Sequence, residues 1–242
     1  MLLYLHKFAN PTKFLRAIKS MPKIFSFTAI LFISTGLYLA LLTSPPDYLQ
    51  SESVRIMYVH VPSAWLSLFS YTSIFILSIF YLIWKFPLFL IAAKEGLFMG
   101  FLFTLIAIVT GSLWGKPTWG TYWVWDARLT SFFILLFIYL GLILLNKTMK
   151  DSSKTDMSFA YLALLGGINL PIIKFSVDWW NTLHQPASVF KIGGPTISLE
   201  MLIPLLIMFF GLLSLYIFLL LLNIISNIEE KKFIVKKQRI KI

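Results

Sequence analysis

The 242-residue sequence predicts an all-α integral membrane protein with six transmembrane helices, both termini cytoplasmic and a Trp-rich loop on the outer face. Three observations carry that prediction. Hydrophobic residues make up 58% of the chain and charged residues only 13%, with a mean hydropathy of +0.82. A soluble domain carries about a quarter charged residues and rarely exposes large apolar patches. Six stretches approach the ~20 mostly apolar residues needed to cross a hydrocarbon core. Finally, sixteen of the 21 Lys and Arg residues fall on one side of those stretches and five on the other, which puts the termini in the cytoplasm by the positive-inside rule.

The spans fall at roughly 24–43, 63–84, 96–113, 129–146, 157–177 and 197–223. The third carries no charge at all. The fifth is the weakest, because Gly166, Gly167, Asn169, Pro171 and Lys174 interrupt it, and the sixth starts polar at Glu200 and is then almost wholly aliphatic or Phe. A spanning backbone must satisfy its own hydrogen bonds, and no period-2 pattern speaks for a barrel, so each span reads as a helix. The chain forms one domain, 1–242, without a repeat of 20–50 residues. Its first 23 residues read as a basic interfacial segment, with Leu2, Leu5, Phe14, Leu15 and Ile18 meeting lipid, rather than as a cleaved signal. Residues 227–242 read as a basic cytoplasmic tail near anionic headgroups.

Composition also excludes chemistry. Zero Cys removes disulfides, thiolate metal sites and Cys nucleophiles. The net charge of +11 does not point to nucleic acid, because the basic residues lie between apolar stretches instead of forming an aromatic-interleaved run. No phosphate-binding glycine loop is present. Of three His residues, His6 falls on the cytoplasmic side and is incidental, whereas His60 and His184 fall on the outer side.

The outer side also holds seven of the eight Trp residues. Residues 114–128 form a Trp-rich outer loop containing Trp114, Trp119, Trp123, Trp125, Asp126 and Arg128. One reading is an interfacial aromatic belt. The density favours another, a platform of flat apolar faces with N–H edges for a large planar ligand. Asp126, beside the start of span four, is explained equally well as a helix cap with an ion pair. Arg128 has a guanidinium suited to carboxylates. A lone loop His is usually a plain polar residue, yet two outer-face His flanking the Trp loop are able to hold one metal from two sides. With few carboxylates and no Cys nearby, a closed zinc site is disfavoured, and two imidazoles beside an aromatic surface match axial haem ligation.

The segment Trp119-Gly-Thr-Tyr-Trp-Val-Trp-Asp126 resembles the tryptophan-rich (WWD) signature of the haem-handling membrane proteins of cytochrome c maturation. That motif is shared with the larger haem-lyase relatives. With six spans, this length and the two flanking His, the whole chain is similar to the small CcmC-type members. The resemblance implies a non-enzymatic protein with transiently bound haem b, His60 and His184 as axial ligands, and the Trp loop against the macrocycle. Trp119, Trp123 and Trp125 would face the porphyrin, and Arg128, Arg55 and Lys116 are the candidate cations for its propionates. It further implies delivery of haem to the chaperone CcmE, the ABC subunits CcmA and CcmB with the small CcmD as partners, and ATP hydrolysis by CcmA. The expected location is the bacterial inner membrane, or alternatively the mitochondrial inner membrane. Two rivals are a membrane b-type cytochrome, which would place its His within spans, and a secondary transporter, which would keep polar groups near the midplane.

Overall fold

The computed structural model describes residues 10–148, 152–186 and 188–240. Among them the only extended pairing is an isolated Asp47–Ser51 bridge, and six helical segments are long and apolar enough to cross a bilayer. The short helix α1 (Pro11–Ile18) is capped by Asn10, whose side-chain oxygen accepts from the N–H groups of Thr12 and Lys13 at 2.9 and 3.3 Å. Its Phe14 and Leu15 pack on Ile91, Ile224 and Ile228, and Ile18 is buried. This face of the basic segment therefore meets protein rather than the lipid expected for it. Leu2, Leu5 and His6 lie outside the described residues.

The first span, α2 (Met21–Tyr38), ends in a π-helical turn at Leu39–Thr43. After a loop, a 3-10 turn at Glu52–Ile56 leads into α3 (Met57–Trp84). Lys85, in the left-handed region at φ 55°, stops α3, and Pro87 at the first helical position starts α4 (Pro87–Trp119) two residues later. The helix continues into the Trp-rich stretch as far as Trp119, so only residues 120–126 of it are loop. Gly120 (φ 77°) terminates α4. The fourth span is α5 (Ala127–Thr148) and the sixth is α8 (Leu199–Ile240).

The fifth span is broken into α6 (Ser152–Gly167) and α7 (Asn169–Trp179). Pro171 explains the break, since it lacks an N–H and its ring crowds the carbonyl four residues back, at Gly167. The two glycines also let neighbours approach. A Cβ at Gly166 would lie 2.1 Å from the Tyr71 hydroxyl, and one at Gly167 2.3 Å from the Phe75 ring. This span has the lowest mean hydropathy of the six, 1.5.

Helix α3 is the centre of the bundle, packing on α4, α6 and α8, while α2 runs along α8. The main core joins Tyr71, Ile74, Leu97, Leu135, Tyr139 and Phe159. Between lipid-embedded helices the hydrophobic effect is absent, so close packing and interhelical hydrogen bonds hold the bundle. Tyr139 donates to the Ser67 carbonyl (2.8 Å), Tyr71 to the Ala163 carbonyl (3.1 Å), and the Ser67 and Thr104 hydroxyls pair at 2.6 Å. Asn169 Nδ2 donates to the Ser131 carbonyl at 2.9 Å, tying α7 to α5.

Phe14 and Leu15 of α1 pack beside Ile91 at the start of α4 and Ile224 and Ile228 near the end of α8, which defines one end of the bundle. The opposite end gathers the segments around residues 44–51, 120–126, 180–186 and 188–198, where backbone is no longer helical. Gly100 tests how tightly the bundle is packed below them, because a Cβ there would stand 2.3 Å from the Tyr139 hydroxyl. Gly100→Ala is expected to destabilise the protein by about 1–3 kcal/mol, read as a lowered melting temperature in detergent. Gly141→Ala, where the added Cβ meets nothing within 4 Å, should be neutral or slightly stabilising.

Candidate functional site

A cavity of about 250 Å³ opens where α3 begins, α4 ends and α5 begins. On α3 its lining follows a helical stripe, Met57, His60, Val61, Ala64, Trp65 and Leu68, and on α4 it includes Ala107, Gly111, Trp114, Gly115, Thr118 and Trp119. Trp123 from the loop after α4, Arg128 and Phe132 from α5, and Lys174 from α7 line further parts. The segment between α7 and α8 contributes His184, Gln185, Val189 and Phe190. His60 and His184, 124 positions apart in sequence, thus face one space.

The two imidazoles are held alike. His60 Nδ1 lies 2.9 Å from the Ala107 carbonyl and 3.2 Å from the Thr110 hydroxyl, and His184 Nδ1 lies 2.8 Å from the Gln185 carbonyl. A carbonyl only accepts, so each Nδ1 carries the proton and each Nε2 keeps its lone pair. Among the described residues neither Nε2 has a hydrogen-bond partner. Backbone fixation of one ring nitrogen is what orients the other as a metal ligand. Gly111 is part of this arrangement, since a Cβ there would come 2.7 Å from His60 Cε1. Trp114 meets the His60 ring edge-on at 5.7 Å and anchors its own N–H on Gln50 Oε1 at 2.8 Å. Trp119 lies 6.3 Å from the His184 ring. No group of three or more His, Cys, Asp or Glu gathers anywhere among the described residues, so the donor set is two neutral imidazoles.

Among the described residues Arg128 and Lys174 are the only fully charged side chains lining the cavity, and both are positive. Arg128 donates one N–H to the Ile173 carbonyl (2.8 Å), leaving most of its five-donor fork available. The Trp123 indole N–H is buried without a partner. A space with two cations, a spare indole donor and no carboxylate favours an anionic ligand.

The remaining sequence candidates lie elsewhere. Trp125 is 72% exposed and packs edge-on behind Trp123 at 5.5 Å and against Phe133. Asp126 caps α5, with its Oδ1 accepting from the Leu129 N–H at 2.8 Å, while its Oδ2 accepts from the Thr182 hydroxyl. It makes no ion pair with Arg128. Arg55 is occupied by Glu52 and the Ala40 carbonyl, and Lys116 by the Gly120 carbonyl (3.0 Å) and the Tyr122 ring. Conversely, Gln50, Trp65, Phe132, Lys174 and Phe190 line the cavity without having been singled out. Met57, Val61 and Trp65 are four residues apart along α3, and that spacing was a signal for Trp65. Nothing local marked the others.

Burial pushes the His184 imidazole below its ordinary value, with the Arg128 charge acting in the same direction, while the Gln185 carbonyl and Asp126 oppose it. The neutral ring is therefore favoured in the docked loop. An undocked His184 takes up a proton below about pH 6.5, so docking is strongest above that pH and weakens as pH falls from it towards the lowered value. An NMR titration of the haem-free protein should show His184 inflecting below 6.5, and an inflection at or above it would contradict the burial.

Residues 4–239 match the family model described as CcmC, Heme exporter protein C. The protein named Heme exporter protein C from Bradyrhizobium diazoefficiens is 46% identical over 224 residues, covering 93% of this chain and 85% of that one. Its namesake from Haemophilus influenzae is 41% identical over 220 residues, with 91% and 89% covered. A mitochondrial ccmC-like cytochrome c biosynthesis protein of Marchantia polymorpha is 48% identical over 174 residues, with 72% and 73% covered. With a family match over nearly its whole length and relatives of this identity, the chain belongs to the CcmC family of heme exporter proteins.

Proposed function

We propose that this chain is a haem-handling subunit of cytochrome c maturation that holds haem at the outer, periplasmic face and passes it to the chaperone CcmE. The observation that carries the reading is the pair of imidazoles, each with Nδ1 on a backbone carbonyl and Nε2 unengaged, lining one aromatic cavity whose charges are both positive. Haem b is the cargo and brings the iron chemistry with it; the protein supplies position and charge. In this reading His60 and His184 are the axial ligands, Trp114, Trp119 and Trp123 offer apolar faces, and Trp125 supports Trp123 from behind. Arg128 and Lys174 meet the two propionates, since Arg55 and Lys116 already have partners. A ligand larger than the cavity stays partly exposed, which suits cargo that must be handed on.

The family names support membership of a haem exporter complex. In this reading CcmA, CcmB and CcmD are its other subunits, and CcmA hydrolyses ATP. The excess of basic residues at the terminal end supports an inner-membrane orientation with the site outside. Bacterial relatives favour the cytoplasmic membrane, and the plant relatives make the mitochondrial inner membrane the alternative.

Absorption spectra of the detergent-purified chain test the ligands. His60→Ala and His184→Ala should each weaken haem retention and shift the Soret band, and unchanged content and spectrum in both would overturn the assignment. Tightly retained haem that cycles reversibly with a quinone would favour the b-type cytochrome instead. A second measurement addresses the cations. Arg128→Gln with Lys174→Met should lower affinity for haem by roughly tenfold or more, the scale of lost charge-assisted hydrogen bonds. Affinity for haem with esterified propionates should not change. Equal losses for both ligands would remove the propionate role.

A further inference from the structure

The one acidic residue of the Trp-rich motif does not line the cavity, and its two carboxylate oxygens serve different elements. Asp126 Oδ1 accepts from the Leu129 N–H at 2.8 Å, capping α5. Asp126 Oδ2 accepts the hydroxyl hydrogen of Thr182. The same Thr182 oxygen accepts from the His184 backbone N–H at 3.0 Å, and the His184 ring is then set by its Nδ1–H on the Gln185 carbonyl at 2.8 Å. A hydroxyl that donates to a carboxylate becomes a better acceptor, so the two bonds reinforce one another. This relay connects the end of α5 to the segment that carries His184. Around it, residues 180–186 and 188–198 are non-helical, two glycines lie at φ 92° and 90° (Gly193 and Gly194), and the further anchors are Val189 and Ile197, on the core around Met57 and Leu205, and Phe190, against Trp65 at 4.9 Å.

We infer that Asp126 is a positioning residue that docks the His184 loop through Thr182, so that the Trp motif and the second imidazole are presented together. Asp126 touches no ligand in this account. Its carboxylate has one oxygen for the helix and one for the loop, and breaking only the second releases His184 while leaving α5 capped. The consequence for His184 as an iron ligand rests on the function proposed above. The docking itself does not.

The test uses the full chain in detergent and two readouts. Asp126→Ser keeps a side-chain cap for α5 but has a single oxygen, and Thr182→Val removes the hydroxyl from the other side. Thr182→Ser restores the hydroxyl. In haem-free protein, limited trypsin cleavage after the exposed Lys191 reports how often the loop is undocked. Asp126→Ser and Thr182→Val should each speed that cleavage by roughly tenfold, the scale of one charge-assisted hydrogen bond, and the double variant should be no faster than either. Thr182→Ser should match the parent. In haem-loaded protein the first two variants should lose the two-imidazole spectrum and regain it when free imidazole is added. Parental cleavage rates in both single variants would overturn the tether whatever the haem result. Faster cleavage with an unchanged spectrum would leave docking intact and remove His184 from the iron.

Discussion

Hydrocarbon has no partner to offer a backbone N–H or C=O, and most of this architecture follows from that constraint. Every span must be helical, so backbone free to bend, and side chains free to converge, collect where helices end. The two ends are not equivalent. At the end where α1 packs, the link between α3 and α4 is only two residues long and carries Lys85. At the other end the connecting segments are longer and rich in Trp, Gly and Pro, and there the cavity forms. The one span that breaks inside the membrane, at Gly167 and Pro171, does so where α7 is tied to α5 by Asn169 on the Ser131 carbonyl.

Polar groups inside the bundle follow the same logic. Tyr71, Tyr139 and Tyr216 are buried among helices, and each hydroxyl reaches a neighbouring helix. Glycines beneath them, Gly166 under Tyr71 and Gly100 under Tyr139, make the approach possible. Close packing and satisfied hydroxyls substitute for the hydrophobic driving force that lipid removes. The result is a stiff base on which α3 and α4 hold the His60 ring between Gly111 and the Ala107 carbonyl.

The second imidazole is held in another way. His60 belongs to a helix packed on both sides, whereas His184 belongs to a loop docked onto the end of α5 by hydrogen bonds. On the proposed reading the first iron ligand would be fixed by helix packing and the second held only through a loop, an asymmetry suited to taking up a large planar group and giving it away. The charge distribution points the same way. Cations line the space, while the nearest carboxylate of the Trp motif, Asp126, is turned to the helix cap and to Thr182.

Much of this was legible in the sequence by itself. Hydropathy determined the number and approximate place of the spans, because crossing a bilayer is a nearly one-dimensional requirement of length and composition. The clustering of Trp with two flanking His marked the end where the cavity opens. Helix boundaries were less accessible: α4 persists through Trp119 because the last turn packs on itself, with Gly115 against the Trp119 ring. Only the tertiary structure decided which cations face the cavity. Arg55, Lys116, Arg128 and Lys174 are equivalent in a linear reading, and they separate once Glu52, the Ala40 carbonyl and the Gly120 carbonyl occupy the first two. It likewise decided that Trp125 stands behind Trp123 and that Asp126 serves a helix and a loop at once. Such assignments depend on which partner reaches a group first in three dimensions, and spacing along the chain does not encode that.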